Sequence, residues 1–566
     1  MIVLFGISLF ACRDGGSSVD DTDVVTADTG DVVENTAPIF DQLGEERLLN
    51  ASIFVVEGDE LDLTLSAFDA EGDALEFSAN KLPPWAILDA TGEVSGTAPM
   101  WDDDFDVRNS QIGIFDVEFT VSDGVESDSK IVSIHVLDAR WDELTMAELV
   151  AQRPISDGGD IGTPVELRNV EDEVFDSSYG GELRRITFGF TSQVPDVDGW
   201  EEDWASELNV LYLPVDGVVV ENVGAIVEGA YAQDFGEIEL AERTAAELKI
   251  PVLIINRGWD QTWPGNLMQR YEEMAVETRE PRFMFYVFTS AHYLRATDAM
   301  ISVLDEVADA DVAYEDFQVM LTGHSKMGHS CYTAAAADPE RVLGIMASGC
   351  SSIDTSATRL LGDLQGARST KPGAFPHYRG MLVRTFAEPL ALMDEMNPNL
   401  RVLLAEGTDD DKARDDGYTP KYSITVADRE HVVPHSIGYI PNAPHTTQTP
   451  LHSAYWRMWV GHTLLGDEVS EVQEISHSVQ SGGVDVEAAV SPGPGVATVR
   501  FWATSQSDRD TSSWDEFSFY DGVLEDGVYR ASIPEESTAY FVEILDVNGG
   551  MVTSSPQPVD EEYPLL

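Results

Sequence analysis

The residues with the clearest catalytic chemistry lie in the segment FQVMLTGHSKMGH at 317–329. An apolar, strand-like run leads into a tight turn around Ser325, and an alanine-rich, helix-forming run follows at once. A serine at such a strand–turn–helix junction exposes its hydroxyl, while the first N–H groups of the helix face a developing oxyanion. The pattern predicts Ser325 as a nucleophile, with the backbone of Lys326 and Met327 at the oxyanion. A sharp turn needs a small residue two positions before the serine, which Gly323 supplies, whereas Met327 stands where glycine is usual.

A base and its orienting acid are expected downstream, the acid before the histidine. The segment LRVLLAEGTDD at 400–410 is an apolar strand ending in Gly-x-x-Asp, which makes Asp410 the preferred acid and Asp409 the second choice. The segment IPNAPH at 440–445 places His445 in a loop before a predicted helix, without a strand partner and free to reach Ser325. In this arrangement His445 takes the hydroxyl proton and Asp410 fixes its tautomer.

Several neighbouring side chains compete for these roles. They are His431, His435, His452, Asp411, Asp415 and Asp416. His324 and His329, which flank the serine, give a metal site with His445 as a further alternative. No Asp, Glu or His spacing supports that alternative, so the pattern favours acid–base catalysis without a metal.

The residues after the predicted central strand at 250–255 are candidates for the substrate pocket. Arg257 and Trp259 are placed to line it and to lend an oxyanion N–H, and Trp259 and Trp263 either stack on a sugar or peptide ring or pack in a turn. Lys326 also has two interpretations. It places a cation near the oxyanion or an acidic substrate group, or it is a solvated lysine of the first helical turn.

The elements that must position these residues alternate between strands and helices after residue 140. Strands are predicted at 208–214, 223–229 and 250–255, and helices at 239–248, 295–307 and 451–465. This alternation is typical of βαβ units and a mostly parallel sheet. We predict an α/β-hydrolase-like catalytic domain at 140–468.

Short β-rich runs separated by Gly, Asp and Pro turns predict two further domains, a β-sandwich at 38–138 and a small C-terminal β-sandwich at 470–566. The motifs LPPW at 82–85, TGEVSGT at 91–97 and VSDG at 121–124 resemble cadherin-like or Ig-like domains of bacterial surface proteins. Acids of the first sandwich are oxygen donors of the type that Ca²⁺ prefers, although no fixed-spacing calcium loop is present. These acids are Glu57, Asp69, Glu71, Asp73 and Asp123. Calcium ligation and solvated turn acids are the two interpretations, and the second is favoured.

The N-terminal segment predicts export. Residues 1–11 form an unbroken small and apolar run, too short for a transmembrane helix, that ends on Cys12. LFAC at 9–12 resembles the lipobox of bacterial lipoproteins, which implies a signal peptide at 1–12, a lipidated Cys12, and a cell-surface or outer-membrane lipoprotein. No Lys or Arg precedes the run, and an ordinary secretory signal is the alternative. The acidic residues 13–37 predict a disordered tether.

Composition limits the partners. The 566 residues include 33 Lys+Arg and 102 Asp+Glu, a formal charge of −69, which excludes non-specific nucleic-acid binding. Polybasic docking to anionic lipid is disfavoured as well, so the lipid anchor is the only membrane contact expected. Three cysteines cannot form a disulfide framework. Cys331 and Cys350 are predicted as buried free thiols, with a disulfide as the alternative.

Four segments carry a resemblance to the PhoPQ-activated pathogenicity-related protein family, which extends over about residues 140–555. They are SAHYLRATD at 290–298, TGHSKMG at 322–328, GTDD at 407–410 and YIPNAPH at 439–445. The resemblance implies an α/β-hydrolase-like exported protein with Ser325 as nucleophile, Asp410 as acid and His445 as base. The family usually has Arg at the position of Met327 and Gly at that of Asp409, so a shared substrate does not follow.

These features predict a surface-tethered serine hydrolase that acts without a cofactor on an ester or amide through an acyl-enzyme. The substrate is expected to be a small molecule, a peptide or a glycan ester. One alternative is a non-catalytic binding or signalling protein on a hydrolase scaffold. The other is an adhesin whose acidic β modules need calcium.

Overall fold

The computed structural model describes nineteen stretches of the chain. They are residues 35–40, 52–100, 114–139, 144–153, 160–193, 204–215, 222–229, 235–256, 274–275, 278, 280–308, 310, 312–349, 389–408, 435–444, 450–491, 493–505, 516–554 and 557–559. None of the helices in these stretches is both long enough and apolar enough to cross a membrane.

The regular elements described in the N-terminal part, residues 35–40, 52–100 and 114–137, are strands. They are β1 (Ile39–Phe40), β2 (Ser52–Val56), β3 (Glu60–Thr64), β4 (Ala67–Phe68), β5 (Glu76–Asn80), β6 (Ala86–Leu88), β7 (Glu93–Thr97), β8 (Ile114–Ser122) and β9 (Ser127–Leu137). A four-stranded sheet has the order β2-β9-β8-β5, a three-stranded sheet has the order β3-β7-β6, and β1 pairs with β4. The ring of Trp85, just before β6, lies 6.1 Å from that of Phe115 in β8, so side chains of the two larger sheets meet. The Ig-like or cadherin-like assignment stays a prediction.

The candidate calcium ligands of this region shape turns. Asp69 accepts the N–H groups of Glu71 and Asp73 on one oxygen. Asp123 accepts those of Glu126 and Val125, and these bonds, with one from the side chain of Asn35, lower the pKa of Asp123. Glu57 accepts the N–H of Ala139. In the stretches given above, no three His, Cys, Asp or Glu side chains gather as a metal site would require, and calcium ligation stays the less favoured interpretation.

The central part is a nine-stranded sheet with helices on both faces. Its elements are α1 (Met146–Ala151), β10 (Leu167–Asp176), β11 (Glu182–Gln193), β12 (Trp204–Pro214), β13 (Val223–Gly229), α2 (Phe235–Leu248), β14 (Val252–Asn256), a 3₁₀ turn (Pro281–Phe283), α3 (Phe285–Glu306), β15 (Gln318–His324), α4 (Lys326–Ala337), β16 (Val342–Ser348), a 3₁₀ turn (Pro389–Leu392), β17 (Arg401–Gly407), β18 (His435–Ile440), α5 (Pro450–Val460) and a π turn (Gly461–Leu465).

The strand order identifies the fold. It runs β10-β11-β12-β14-β13-β15-β16-β17-β18, and every pair from β14 to β18 is parallel, whereas β10 and β12 run antiparallel to their neighbours. If β10 is set aside as an added edge strand, the order of the other eight is 1-2-4-3-5-6-7-8 with an antiparallel second strand. This is the α/β-hydrolase arrangement, which confirms the predicted fold of the central domain.

Two elements depart from the predicted ones. The hairpin β10–β11 was not predicted, because β10 (LRNVEDEVFD) lies at the sheet edge with mostly exposed residues and has no apolar alternation. Helix α3 begins at Phe285, ten residues before the predicted start at 295. Its residues from Val287 to Leu304 are all buried, so this helix has no polar face whose period would mark its beginning.

A buried ion network fixes α3 to the far end of α4. Asp298 and Arg295 of α3 are fully buried, and Arg341, just after α4, is 5% exposed. Asp298 accepts a hydrogen bond from Arg341 at 2.7 Å and one from Arg295 at 3.2 Å, and Arg341 also donates to Asp338 at 2.7 Å. Desolvation raises the pKa of Asp298, and the guanidinium of Arg341 opposes that rise.

The C-terminal part is again composed of strands. They are β19 (Val472–Gln480), β20 (Gly483–Val490), β21 (Val496–Thr504), β22 (Ser518–Asp521), β23 (Val523–Glu525), β24 (Val528–Ile533), β25 (Ala539–Asp546), β26 (Met551–Thr553) and β27 (Gln557–Pro558). One sheet has the order β19-β20-β24-β23, and the other has β22-β21-β25-β26 with β27 paired to β25. Residues of both sheets, such as Val486 and Phe501, share one hydrophobic core, as the predicted sandwich requires.

Replacing Asp298 by alanine is expected to destabilise the protein by about 3–5 kcal/mol, because it leaves two buried guanidinium groups without their shared carboxylate. Equilibrium urea unfolding of the full chain measures this. Arg243→Ala is the matched control: it breaks a half-exposed ion pair with Glu247 and should cost less than about 1 kcal/mol. Equal losses in the two variants would contradict a structural role for the network.

Candidate functional site

The reversal of strand order marks a crevice in the central sheet. Strand β13 lies between β14 on one side and β15 on the other, so the chain leaves β13 and β15 in opposite directions along the sheet. In open α/β sheets, ligands bind at such a point, outside the carboxyl ends of the strands. Ser325 follows the last residue of β15, at this edge. The topology therefore places the predicted nucleophile at the expected binding crevice.

The backbone of Ser325 has the conformation of a strained turn. Its φ is 56° and its ψ is −121°, a region that residues with a side chain rarely adopt. Its N–H donates to the carbonyl of Ser348 at 2.7 Å, and its carbonyl accepts from Gly328 at 2.9 Å. The hydroxyl makes no capping hydrogen bond to α4, although serine at a helix start usually does. The backbone of Ser325 is thus held by hydrogen bonds, whereas its hydroxyl is not used to cap helix α4.

Gly323 makes this turn possible. A Cβ at residue 323 would overlap the carbonyl of Met327 and approach the Tyr293 hydroxyl to 2.7 Å. The same hydroxyl donates to the carbonyl of Thr322 at 2.9 Å. Met327, at the position where glycine is usual, is tolerated because its side chain is 1% exposed and packs in the hydrophobic core. The requirement for a small residue at 323 is confirmed.

Lys326 and Met327 open helix α4. The N–H groups of Gly328 and His329 donate to the carbonyl of Ser325, whereas those of Lys326 and Met327 precede the first such bond. Two N–H groups at a helix start beside a serine suit an oxyanion. The side chain of Lys326 is solvent-exposed, in keeping with its solvated interpretation and leaving a cation next to the serine.

The segments that lead to Asp410 and His445 meet each other. Thr408, after β17, donates its N–H to the carbonyl of Ile440 at 3.1 Å, and the N–H of Asn442 donates to the Thr408 hydroxyl at 2.8 Å. A Cβ on Gly407 would overlap the carbonyl of Ala443 and lie 2.9 Å from that of Pro444, the residue before His445. The last described residues before the predicted acid and base are therefore in contact at the same sheet edge.

Several predicted site residues lie outside the described stretches, and their placement is not part of the structure. They are Cys12, Arg257, Trp259, Trp263, Cys350, Asp409, Asp410 and His445. Strand β18, at 435–440, was not predicted and pairs in parallel with β17, and residues 441–444 form the turn that follows it. His435, a competing histidine, is the first residue of that strand.

Two buried glutamates at the crevice edge were not among the predicted site residues. Glu228, the penultimate residue of β13, is 6% exposed and accepts the N–H of His324 at 2.8 Å. Glu406, the penultimate residue of β17, is fully buried. A signal for them exists, since each is a single acid followed by glycine at the end of an otherwise apolar strand (VGAIVEG and RVLLAEG).

Three further candidates, Cys331, His324 and His329, pack against other side chains of the fold. Cys331 is a buried free thiol, as predicted, and burial raises its pKa to about 12. His324 lies 3.5 Å from the Ser348 hydroxyl, and the ring of His329 lies 5.7 Å from that of Tyr286. Neither histidine joins a cluster of metal-ligating side chains within the described part of the chain.

No family model matches the chain, and no curated protein matches it. The resemblance to the PhoPQ-activated family therefore stays a prediction. Among solved structures, the chain is similar to acetyl xylan esterase 1 from Thermoanaerobacterium sp. (13% identity, 57% of this chain and 97% of that one, TM-score 0.32). It is also similar to an S-formylglutathione hydrolase from Agrobacterium tumefaciens (15%, 53% and 100%, TM-score 0.34) and a dienelactone hydrolase from Anabaena variabilis (15%, 53% and 99%, TM-score 0.25). The fold assignment rests on the strand order and not on these matches.

Ser325→Gly is expected to be about 1 kcal/mol more stable than Ser325→Ala. The observed φ and ψ cost about 1–3 kcal/mol for a residue with a Cβ, and relief of that cost outweighs the extra freedom of glycine in the unfolded chain, about 0.5–1 kcal/mol. Parallel urea titrations of the two variants test this. If the alanine variant is the more stable one, the turn at residue 325 is not strained.

Proposed function

We propose that the protein is a serine hydrolase that cleaves an ester or amide through an acyl-enzyme. The observation that carries the proposal is the position and backbone of Ser325: it stands at the end of β15, at the switch-point crevice, in a strained turn that opens helix α4. A structural serine at a helix start needs neither the positive φ nor the glycine at 323. The arrangement is the one that presents a hydroxyl above the sheet.

The proposed reaction uses this chain's own groups. The Oγ of Ser325 attacks the substrate carbonyl while His445 takes the hydroxyl proton and Asp410 orients the imidazole. The N–H groups of Lys326 and Met327 hold the oxyanion. Collapse breaks the bond to the leaving group, which receives the proton from His445 and departs. Water then attacks the acyl-enzyme with His445 again as base, which releases the acid and restores Ser325.

The substrate class follows from the surroundings of the nucleophile. Lys326 places an exposed cation one residue from Ser325, so we propose an acyl or alcohol part with an acidic or strongly polar group near the scissile bond. A small-molecule, peptide or glycan ester meets this description. Arg257 and Trp259 remain the proposed pocket lining.

We further propose that the enzyme acts outside the cell, held by a lipid on Cys12 and the acidic tether at 13–37. Cys12→Ala, expressed with its leader in a bacterial host, is expected to move from the membrane fraction to the soluble fraction, because the lipid attachment atom is lost. Membrane fractionation measures this. Cys331→Ala, which removes a buried thiol, should leave the distribution unchanged. A soluble wild-type protein would contradict the anchor.

A fluorophosphonate probe tests the catalytic proposal directly. The folded wild-type chain is expected to be labelled at Ser325, and Ser325→Ala should abolish labelling and hydrolysis of p-nitrophenyl acetate. His445→Ala should slow labelling by about 100-fold or more, because the serine loses its base.

Ser436→Ala, which changes an exposed serine of β18, is the matched control and should label normally. A folded wild-type protein that neither reacts with the probe nor hydrolyses the ester would overturn the proposal and favour a binding protein on a hydrolase scaffold.

A further inference from the structure

The C-terminal β-sandwich is hydrogen-bonded to the last strand of the catalytic sheet. The N–H of Tyr439 in β18 donates to the hydroxyl of Thr553 in β26 at 2.9 Å, in a buried position. The hydroxyl of Tyr455 in α5 donates to the carbonyl of Tyr439 at 2.9 Å. It also lies 3.3 Å from the hydroxyl of Thr553. The rings of Tyr439 and Phe541 are 5.2 Å apart. The sandwich therefore covers the sheet edge from which the chain continues toward His445.

Asn442 lies just beyond β18 and joins three segments. Its amide oxygen accepts the N–H of Phe517 at 2.8 Å, and its amide nitrogen donates to the carbonyl of the same residue at 2.9 Å. Phe517, just before β22, is a buried residue of the C-terminal sandwich. The N–H of Asn442 donates to the hydroxyl of Thr408 at 2.8 Å. Asn442 therefore links the segment before His445 to the sandwich through its side chain and to the segment before Asp410 through its backbone N–H.

Asparagine at position 442 suits the pairing with Phe517 as well as the turn after β18. Asn442 has a φ of 58°, which glycine or aspartate also adopts. Of these three residue types, only asparagine carries an amide that both accepts from an N–H and donates to a carbonyl, as pairing with both backbone groups of Phe517 requires. A turn that only reversed the chain would not need this pairing.

We propose that Asn442 is a positioning residue, which fixes the base segment against the acid segment by anchoring both to the C-terminal sandwich. Asn442 is three residues from His445, and Thr408 is two residues from Asp410. The inference rests on the proposed serine-hydrolase function. It makes the sandwich a part of the catalytic apparatus instead of an appended neighbour.

Asn442→Gly is the principal test. Glycine keeps the positive φ and the N–H bond to Thr408 but loses both bonds to Phe517. With p-nitrophenyl acetate, kcat is expected to fall by about 10- to 100-fold with little change in KM, because the base is held less accurately. A carboxylate held at an imidazole stabilises the protonated imidazole and raises its pKa. If Asp410 is held less well, the pKa of His445 should fall, and the acidic limb of the pH profile should move to lower pH.

Two further comparisons separate geometry from folding. Asn442→Asp keeps the acceptor for the Phe517 N–H and should retain more activity than Asn442→Gly. Thr408→Val removes the acceptor for the Asn442 N–H and should lower kcat, whereas Thr408→Ser should restore it. Because Asn442 is an exposed residue, the urea midpoint should change little in the two Asn442 variants. Thr408 is 1% exposed, so Thr408→Val and Thr408→Ser are compared with each other under conditions where both are fully folded.

Tyr455→Phe is the matched control at the same junction. It removes two buried hydrogen bonds, one to Thr553 of the sandwich and one to the Tyr439 carbonyl within the catalytic domain, so it should lower the urea midpoint and leave kcat and the pH profile unchanged. If Asn442→Gly behaves like Tyr455→Phe, with loss of stability only, the positioning role is overturned. Failure of the wild-type protein to react with the fluorophosphonate probe would instead overturn the proposed function, and the positioning role with it.

Discussion

The arrangement of the site depends on the close approach of two backbone segments, Gly323 and the carbonyl of Met327. This approach exists only because residue 323 has no Cβ, and it brings the chain from β15 into α4 without an intervening loop. The cost appears at Ser325, whose φ of 56° and ψ of −121° store strain of about 1–3 kcal/mol. Strain of that size persists only where the surroundings determine the backbone, and here they do so from several sides.

The restraints on this turn come from opposite ends of helix α4. At its start, the Ser325 N–H is bonded to β16, and the Tyr293 hydroxyl of α3 holds the carbonyl of Thr322. At its far end, Arg341 donates both to Asp338 and to the buried carboxylate of Asp298 in the same helix α3. Helix α3 therefore contacts both ends of the strand–turn–helix unit.

The structure that depends on neighbouring residues can be predicted from the sequence, whereas the contacts between distant residues cannot. The apolar run before Gly323 and the alanine-rich run after Ser325 predict the strand, the turn and the helix, because all the determinants lie within about twenty residues. The edge strand β10 and the start of α3 depend on what packs against them, so neither carries a hydrophobic period. The pairing of Asn442 with Phe517 joins residues 75 positions apart, and no local sequence pattern predicts it. Glu228 is intermediate, since an acid ending an apolar strand is visible but its acceptor role at His324 is not.

The net charge of −69 and the cation of Lys326 beside the proposed nucleophile act over different distances. At physiological ionic strength the Debye length is about 8 Å, so exposed acids farther than that from the crevice are largely screened. Lys326 is adjacent to Ser325 in the chain and acts within this distance, as does Glu228 through its bond to His324. The overall charge therefore governs solubility and the approach of ligands at low salt. Under the proposed function, Lys326 and Glu228 both act at the scissile bond, and the buried position of Glu228 makes its field the less screened of the two.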